Sequence, residues 1–268
     1  MTTVFAWGCS AAAGEPVAAG QHSQAGNSVP ARPADESACP AHGALVSLTY
    51  DDGLPSQLAH AVPELDQRGL RATFFLNDVS ATARQWSALL GQGHELGAHT
   101  LLHPCPRADW VPEGRASEDY DLVRMRDELD ASVARLRELG ASPPYSFAYP
   151  CGVTWVGSPA TSYVPEVEAR FAAARGVSSG LVRKLDSPFA VPAYFVNGNA
   201  RVLERLVDQA IEQEAWIVFG FHGVGGDHLP IELDVHRALL DHLVQQREHA
   251  AVLPFGEAAR CAKSRSAR

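Results

Sequence analysis

Two adjacent carboxylates, Asp51 and Asp52, follow an apolar run and precede a glycine in the stretch LTYDDG. Like charges at this distance repel each other, so a chain that places both at the end of a buried strand needs a compensating charge. A bound cation would supply that charge, with one carboxylate as a ligand and the other just beside the ion. On its own, a DDG sequence is more typical of a turn, because Asp and Gly favour turns.

Two histidines, His99 and His103, lie four residues apart in the stretch HTLLHP. That spacing predicts a single helical turn that brings both rings onto one face, and Pro104 predicts that the turn is short. Two imidazoles with this separation make half of a divalent-metal site, for which an Asp is the obvious third ligand. A metal site of this kind with open coordination positions is suited to hydrolysis. The alternative interpretation is that His99 and His103 are simply two surface histidines.

The apolar pattern indicates which elements would bring these segments together. Strand-like runs alternate with helix-like segments, of which residues 119–140 have the clearest helical spacing and end at Gly140. The alternation predicts an α/β fold, a single deformed (β/α) barrel of about seven parallel strands with surrounding helices. The predicted strands cover residues 44–50, 71–77, 94–100, 145–150, 191–197, 216–222 and 251–255.

In such barrels, chemistry collects at the ends of strands, where the loops begin. The two aspartates and the two histidines lie at predicted strand ends, and so do the stretch FAYPCG (147–152) and His222. Taken alone, His222 is more typical of a core histidine with satisfied hydrogen bonds. The four polar stretches at one edge of a barrel together favour a functional site.

Composition and charge restrict the partners and the domain organisation. The chain has 268 residues and a formal net charge of −9, which argues against nucleic acid or an anionic membrane surface as a partner. No apolar run approaches the ~20 residues of a membrane span. Residues 1–42 are rich in Ala, Gly, Pro and Ser and predict a flexible tail ahead of a domain at 43–268. The tail is either a signal remnant with a lipid tether at Cys9 or an untethered disordered start.

Two cysteines and two tryptophans near the polar stretches each allow two interpretations. Cys105 and Cys151 both follow a proline, and they form either a disulfide in an exported protein or a pair of buried thiols. Trp110 and Trp155 lie downstream of the second and third polar stretches and would either stack on sugar rings or pack in the core.

These stretches together resemble the polysaccharide deacetylase family, carbohydrate esterase family 4, over roughly residues 43–256. LTYDDG is similar to the first family motif and HTLLHP to the second, and FAYPCG stands where the third belongs. DSPFAVPAYFV matches the fourth motif loosely, and FGFHGV resembles the fifth. The resemblance implies a barrel that carries the site at the ends of its strands.

The resemblance also implies roles for individual residues. Asp51 would be the general base that takes a proton from the attacking water, and His222 would be the general acid that protonates the leaving group. Asp52, His99 and His103 would bind a divalent metal, with zinc as the expected ion.

The third motif implies the substrate-binding side of the site. The backbone N–H of Cys151 would donate to the oxyanion, and Tyr149 and Pro150 would shape the approach. Position 148 is Ala where many family members carry an Arg that pairs with the base and with an acidic residue of the fourth motif. Without that Arg, Asp186 has no expected catalytic role.

The expected activity is metal-dependent removal of acetyl groups from an N-acetylated glycan, such as peptidoglycan, chitooligosaccharide or another exported polysaccharide. The alternatives are O-acetyl ester hydrolysis on acetylated xylan, hydrolysis of a non-sugar amide or cyclic imide, and glycan binding without chemistry. The expected location is the cell envelope, the periplasm or the medium, with the cytoplasm as the alternative.

Overall fold

Seven parallel strands form one curled sheet in the computed structural model, which describes residues 39–195 and 198–267. The sheet order is β7-β4-β3-β2-β1-β8, and β9 pairs with the first half of β1. A separate antiparallel pair consists of β5 and β6. The predicted single deformed (β/α) barrel with about seven parallel strands is confirmed. The strands are β1 (Ala44–Asp51), β2 (Thr73–Leu76), β3 (Glu95–Ala98), β4 (Ser146–Ala148), β5 (Trp155–Val156), β6 (Thr161–Ser162), β7 (Ala173–Arg175), β8 (Trp216–Phe221) and β9 (Ala250–Val252).

Helices surround the sheet, as the alternating pattern predicts. The longest helix begins directly after Asp121, whose side chain accepts a hydrogen bond from Arg124 N at 2.8 Å. It ends shortly before Gly140, which has a φ of +91°. That glycine confirms the predicted end of the helix, because a left-handed residue after the last turn satisfies free carbonyls. The helices are α1 (Val62–Gln67), α2 (Ala83–Gly91), α3 (Leu122–Glu138), α4 (Val164–Glu168), α5 (Ala200–Glu212), α6 (Leu233–Gln245) and α7 (Phe255–Ser266).

Alternation along β1 determines which side chains face the barrel interior. All eight residues of β1 are buried, as in parallel strands that are covered on both faces. Val46, Leu48 and Tyr50 belong to the large apolar cluster that includes residues of α1 to α6, whereas Leu45 belongs to a second cluster that includes residues of α7. Since successive side chains of a strand point to opposite faces, Asp51 falls on the same face as Leu45.

The predicted strand at 191–197 is not formed in its described part, 191–195. Only single-residue bridges occur there, from Val191 to Arg175 and from Tyr194 to Phe219. Pro192 explains the difference, because a residue without an N–H cannot pair within a central strand. The bridges link β7 to β8, the two edges of the curled sheet. The edge position itself is taken by β7, which the sequence reading missed.

Two disulfides join distant parts of the chain. The Cys105–Cys151 bond confirms the disulfide interpretation over the pair of buried thiols. The Cys39–Cys261 bond, which the sequence reading did not foresee, connects residues 222 apart and ties the segment before β1 to α7. The rest of the predicted tail, residues 1–38 with Cys9, lies outside the described residues. Within the described ranges, no helix is long and apolar enough to cross a membrane.

A buried histidine links α6 to the middle of the sheet. His236 is fully buried, and its Nε2 lies 2.7 Å from the Tyr50 hydroxyl. Burial lowers the pKa of His236 to about 4; Glu64 opposes this shift, and Arg68 and Arg237 add to it. The imidazole is therefore neutral in the folded protein across the physiological pH range.

Candidate metal and catalytic site

Five of the predicted site residues converge at the carboxyl ends of β1, β3 and β8. Asp51 is the last residue of β1, His99 follows β3 and His222 follows β8. Asp52 is central among them. Its Oδ1 lies 3.7 Å from His99 Nε2 and 3.6 Å from His103 Nε2, and its Oδ2 lies 3.9 Å from His222 Nε2.

The arrangement of Asp52, His99 and His103 fits a divalent cation. Their ligand atoms all lie within 4.8 Å of one another, and the two Nε2 atoms are 3.1 Å apart. Donors that share a tetrahedral ion at about 2.0–2.1 Å are separated by roughly 3.3 Å, close to the observed distances. Two imidazoles and a carboxylate are also a common donor set for zinc and related ions.

The backbone around Asp52 explains why a carboxylate can point into this cluster. Asp52 has a φ of +74° and Gly53 a φ of +64°, so the chain turns sharply at the end of β1. Asp is among the few residues that enter this left-handed region readily. A side chain at Gly53 would come within 2.5 Å of Val79 Cγ1, so the turn also requires a glycine there.

The two histidines reach the cluster through a loop, so the predicted helical turn is wrong. Thr100 and His103 have φ values of +57° and +52°, which a right-handed helix excludes. His99 Nδ1 lies 2.8 Å from the Ala148 carbonyl oxygen, the usual outer partner of a metal-ligating histidine. The hydrogen bond places the ring proton on Nδ1 and leaves the Nε2 lone pair facing Asp52.

Burial and neighbouring charges determine the protonation of the histidines. Burial lowers the pKa of His103, and the neighbouring His99 lowers it further, against the opposing effect of Asp52. Burial also lowers the pKa of His222, although Asp51 and Asp52 oppose that shift. His103 is therefore neutral near pH 7, as a metal ligand must be.

Asp51 is held by a buried arginine that the sequence analysis did not identify. Arg175, at the end of β7, is fully buried; its Nη2 donates to Asp51 Oδ1, and its Nε donates to Thr49 Oγ1 at 3.1 Å. Its guanidinium lies over the rings of Phe75 and Phe195, 4.9 and 5.0 Å from their centroids. Burial opposes the ionisation of Asp51, but Arg175 and the nearby histidines outweigh it and lower the pKa of Asp51.

Arg175 replaces the arginine whose absence at position 148 the sequence shows. Ala148 belongs to β4, which is the neighbour of β7 in the sheet, and Ala148 is paired with Arg175. An arginine one strand further along the sheet therefore reaches the same carboxylate. In the sequence, Arg175 is visible only as a single charged residue in the apolar run FAAARGV, and no motif spacing marks its position.

The third polar stretch is mostly buried. Tyr149 is 1% exposed, and its hydroxyl donates to the Phe189 carbonyl oxygen at 3.2 Å. Its side chain lies in the core, so the expected role of Tyr149 in shaping the approach to the site stays a prediction. Pro150 is buried too, whereas Cys151 is exposed and has a φ of +51°. Residues 149 and 150 thus support the turn that presents Cys151.

The two tryptophans differ in exposure. Trp110 is 68% exposed, which excludes the core interpretation for this residue. Trp155 is half-buried in β5. Asp186 is not among the residues that contact Asp51 in the described structure.

Comparison with solved structures shows a shared fold at low sequence identity. The peptidoglycan deacetylase PdaC from Bacillus subtilis is 14% identical and has a TM-score of 0.54, with 85% of this chain and 96% of that chain covered. A Mycobacterium smegmatis protein assigned to the polysaccharide deacetylases is 15% identical and has a TM-score of 0.60, with 85% and 93% covered. A carbohydrate esterase family 4 pseudoenzyme from Bacillus anthracis is 14% identical and has a TM-score of 0.51, with 80% and 65% covered.

A search of curated proteins returned no match. The family model described as polysaccharide deacetylase matches residues 40–161, which include Asp51, Asp52, His99, His103 and Cys151. The match and the shared fold confirm the resemblance that the motifs indicated: residues 40–161 are similar to the polysaccharide deacetylase family.

Proposed function

We propose that this protein is a metal-dependent hydrolase that removes acetyl groups from an N-acetylated glycan. The observation that carries the proposal is the convergence of Asp52, His99 and His103 into one ligand set, beside two groups suited to proton transfer. Asp51 Oδ2 lies 3.8 Å from His99 Nε2, and His222 Nε2 lies 3.9 Å from Asp52 Oδ2. A base and an acid therefore flank the same small volume.

Each side chain has a distinct part in the proposed hydrolysis. A divalent cation held by Asp52, His99 and His103 would polarise the acetyl carbonyl and lower the pKa of a water. Asp51 accepts the proton of the attacking water at its carboxylate. His222 donates a proton to the leaving amine, which prevents expulsion of an unstable amide anion.

Two further groups position the reacting atoms. Arg175 keeps Asp51 anionic and oriented, because its guanidinium donates to Oδ1 and leaves Oδ2 on the side of His99. The backbone N–H of Cys151 would donate to the oxyanion that forms when water attacks the carbonyl. The disulfide to Cys105 links this turn to the segment that carries His103.

The family match and the fold support hydrolysis but leave activity to be tested. One structural neighbour is described as a family pseudoenzyme, and a mutant of that protein is described as having restored activity. This chain has Asp51, Asp52, His99, His103 and His222 in place, which favours an active enzyme over a glycan-binding protein without chemistry.

Acetate release from N-acetylglucosamine oligomers by the zinc-loaded protein tests the proposal. We expect activity that chelation abolishes and zinc restores. Asp51→Asn should abolish turnover but keep the zinc content, whereas Asp127→Asn, an exposed carboxylate on α3, should leave both unchanged. Loss of zinc in Asp51→Asn would show that the roles of Asp51 and Asp52 are exchanged.

Parallel substrates separate the alternatives. Acetylated xylan tests O-acetyl ester hydrolysis, and a cyclic imide tests hydrolysis of non-sugar amides. Inactivity on N-acetylated oligomers together with turnover of either of these would reject the glycan N-deacetylase. Inactivity on every acetylated substrate would favour glycan binding alone.

We also propose that the protein works outside the cytoplasm. Its two disulfides support this location, because such bonds persist in oxidising compartments and are rare in the cytosol. Free thiols are alkylated before lysis and the expressing cells are then fractionated. The protein should be recovered outside the cytoplasmic fraction, with the four disulfide-bonded cysteines (Cys39, Cys105, Cys151 and Cys261) protected from alkylation. A reduced cytoplasmic protein would contradict this location.

A further inference from the structure

The loop between the two metal-ligand histidines adopts an unfavourable backbone conformation. Thr100 and His103 both have positive φ values, +57° and +52°. For residues other than glycine, such conformations persist only where the surrounding structure holds them, and they are common at functional sites. Something must therefore hold residues 100–103 so that both Nε2 atoms face Asp52.

A glutamate from helix α3 contacts the middle of this loop. Glu128 is 8% exposed, and its Oε2 accepts hydrogen bonds from Leu101 N at 2.9 Å and from Leu102 N at 3.1 Å. The Tyr120 hydroxyl donates to its other oxygen at 3.4 Å. One carboxylate oxygen thus accepts hydrogen bonds from two of the three backbone N–H groups between the histidines.

The second contact that orders the loop is internal. Thr100 Oγ1 accepts a hydrogen bond from His103 N at 3.0 Å and donates to the His99 carbonyl oxygen at 2.7 Å. These bonds join the two histidine backbones to each other. The ends of the segment are anchored by the contact of His99 with Ala148 and by the Cys105–Cys151 disulfide. Glu128 attaches the middle of the loop to α3, and no Lys or Arg forms an ion pair with it within the described ranges.

A buried carboxylate in this position is costly unless strong donors compensate for the lost water. Backbone N–H groups that donate to a charged oxygen form bonds roughly twice as strong as those between neutral groups. The two hydrogen bonds to Oε2 fix the peptide groups of Leu101 and Leu102 relative to α3.

We infer that Glu128 is a positioning residue that holds the loop of residues 100–103 in the conformation required for metal binding. The inference rests on the proposed function, because it assumes that His99 and His103 bind the metal. Glu128 contacts neither the ligand atoms nor the substrate side. It acts through the backbone of Leu101 and Leu102.

Zinc affinity of the apo-protein, measured by competition with a chromophoric chelator, tests this role. Changes to outer partners of metal ligands typically weaken binding about 10–100-fold, and we expect a loss in that range for Glu128→Ala. Glu128→Gln keeps a neutral acceptor oxygen and should recover most of the affinity. Asp127→Ala, the exposed neighbour on the same helix, should bind zinc as tightly as the wild type.

Thermal unfolding of the apo-proteins separates positioning from general stability. A purely structural role would lower the melting temperature of Glu128→Ala and leave the zinc affinity of the folded fraction unchanged, which would overturn the inference. If Glu128→Ala does not fold, Glu128→Gln decides: we expect a few-fold weaker zinc binding and faster amide exchange at Leu101 and Leu102. Wild-type values for both would overturn the inference.

The outcomes also separate this inference from the proposed function. A wild-type protein that binds no zinc would reject the metal site itself. Zinc binding that is equal in the wild type and in Glu128→Ala would reject only the positioning role.

Discussion

Replacing Arg175 by methionine tests whether the buried ion pair between Arg175 and Asp51 stabilises the fold. The side chain is fully buried, and its partner Asp51 is only 3% exposed. Methionine fills a similar volume between the rings of Phe75 and Phe195, so the change mainly removes charge and hydrogen bonds. Arg175→Met would leave the Asp51 carboxylate buried without its guanidinium.

Breaking a buried ion pair on one side costs about 3–5 kcal/mol, because the remaining charge is uncompensated. We expect a loss of that size in the free energy of unfolding of Arg175→Met at pH 7, measured by urea denaturation of the apo-protein. The matched control is Arg126→Met, which breaks the exposed pair with Glu166 at 2.8 Å. That loss should stay within about 1 kcal/mol.

A double-mutant cycle shows whether the loss comes from the pair itself. Asp51→Asn alone leaves the arginine buried without its counter-charge and should also destabilise the protein. The double variant should lose less than the sum of the single losses, with a coupling of about 2–3 kcal/mol between Asp51 and Arg175. Additive losses, or an Arg175→Met variant as stable as the wild type, would refute the reasoning.

Three other expectations concern metal content, the disulfide near the site and the buried histidine. His99→Ala should sharply lower the zinc content by elemental analysis, and unchanged content would remove His99 from the ligand set. Replacing both Cys105 and Cys151 by serine removes a disulfide that closes a loop of 46 residues. The loss of this constraint on the unfolded chain should lower the free energy of unfolding by about 4 kcal/mol. An unchanged urea midpoint would contradict this. Because the pKa of His236 is about 4 when folded and near 6.5 when unfolded, its contribution to stability is complete above pH 6.5 and is lost as the pH falls toward 4. The free energy of unfolding of the wild type should therefore fall by up to about 3 kcal/mol more than that of His236→Gln between pH 6.5 and pH 4, as measured by urea denaturation. An equal fall in both proteins would contradict this.

The residues that the sequence identified are those whose spacing carries information. Asp52 follows a buried strand, His99 and His103 are four residues apart, and His222 ends an apolar run. Parallel strands place their ends on one edge, so the convergence of these residues follows from the barrel alone. The fold was predictable for the same reason, since alternating strand and helix patterns leave few other topologies.

The residues that were missed act through tertiary contacts that no local pattern encodes. Arg175 stands alone in an apolar run and meets Asp51 only because β7 lies at the edge of the sheet, next to β4. Glu128 looks like any other charged position of an amphipathic helix until α3 is placed against the loop. The helical turn predicted for His99 and His103 failed because contacts from outside the segment overrode its spacing.

The bond between Cys39 and Cys261 turns the barrel domain into a covalent ring. A protease that cuts any exposed loop inside this ring would produce two pieces that remain attached to each other. Such a nicked protein would migrate as a single band on a denaturing gel without reductant and would separate only when the disulfide is reduced. A ring of this kind also hinders exopeptidases, because the last helix stays attached to the segment before the first strand while the bond is intact.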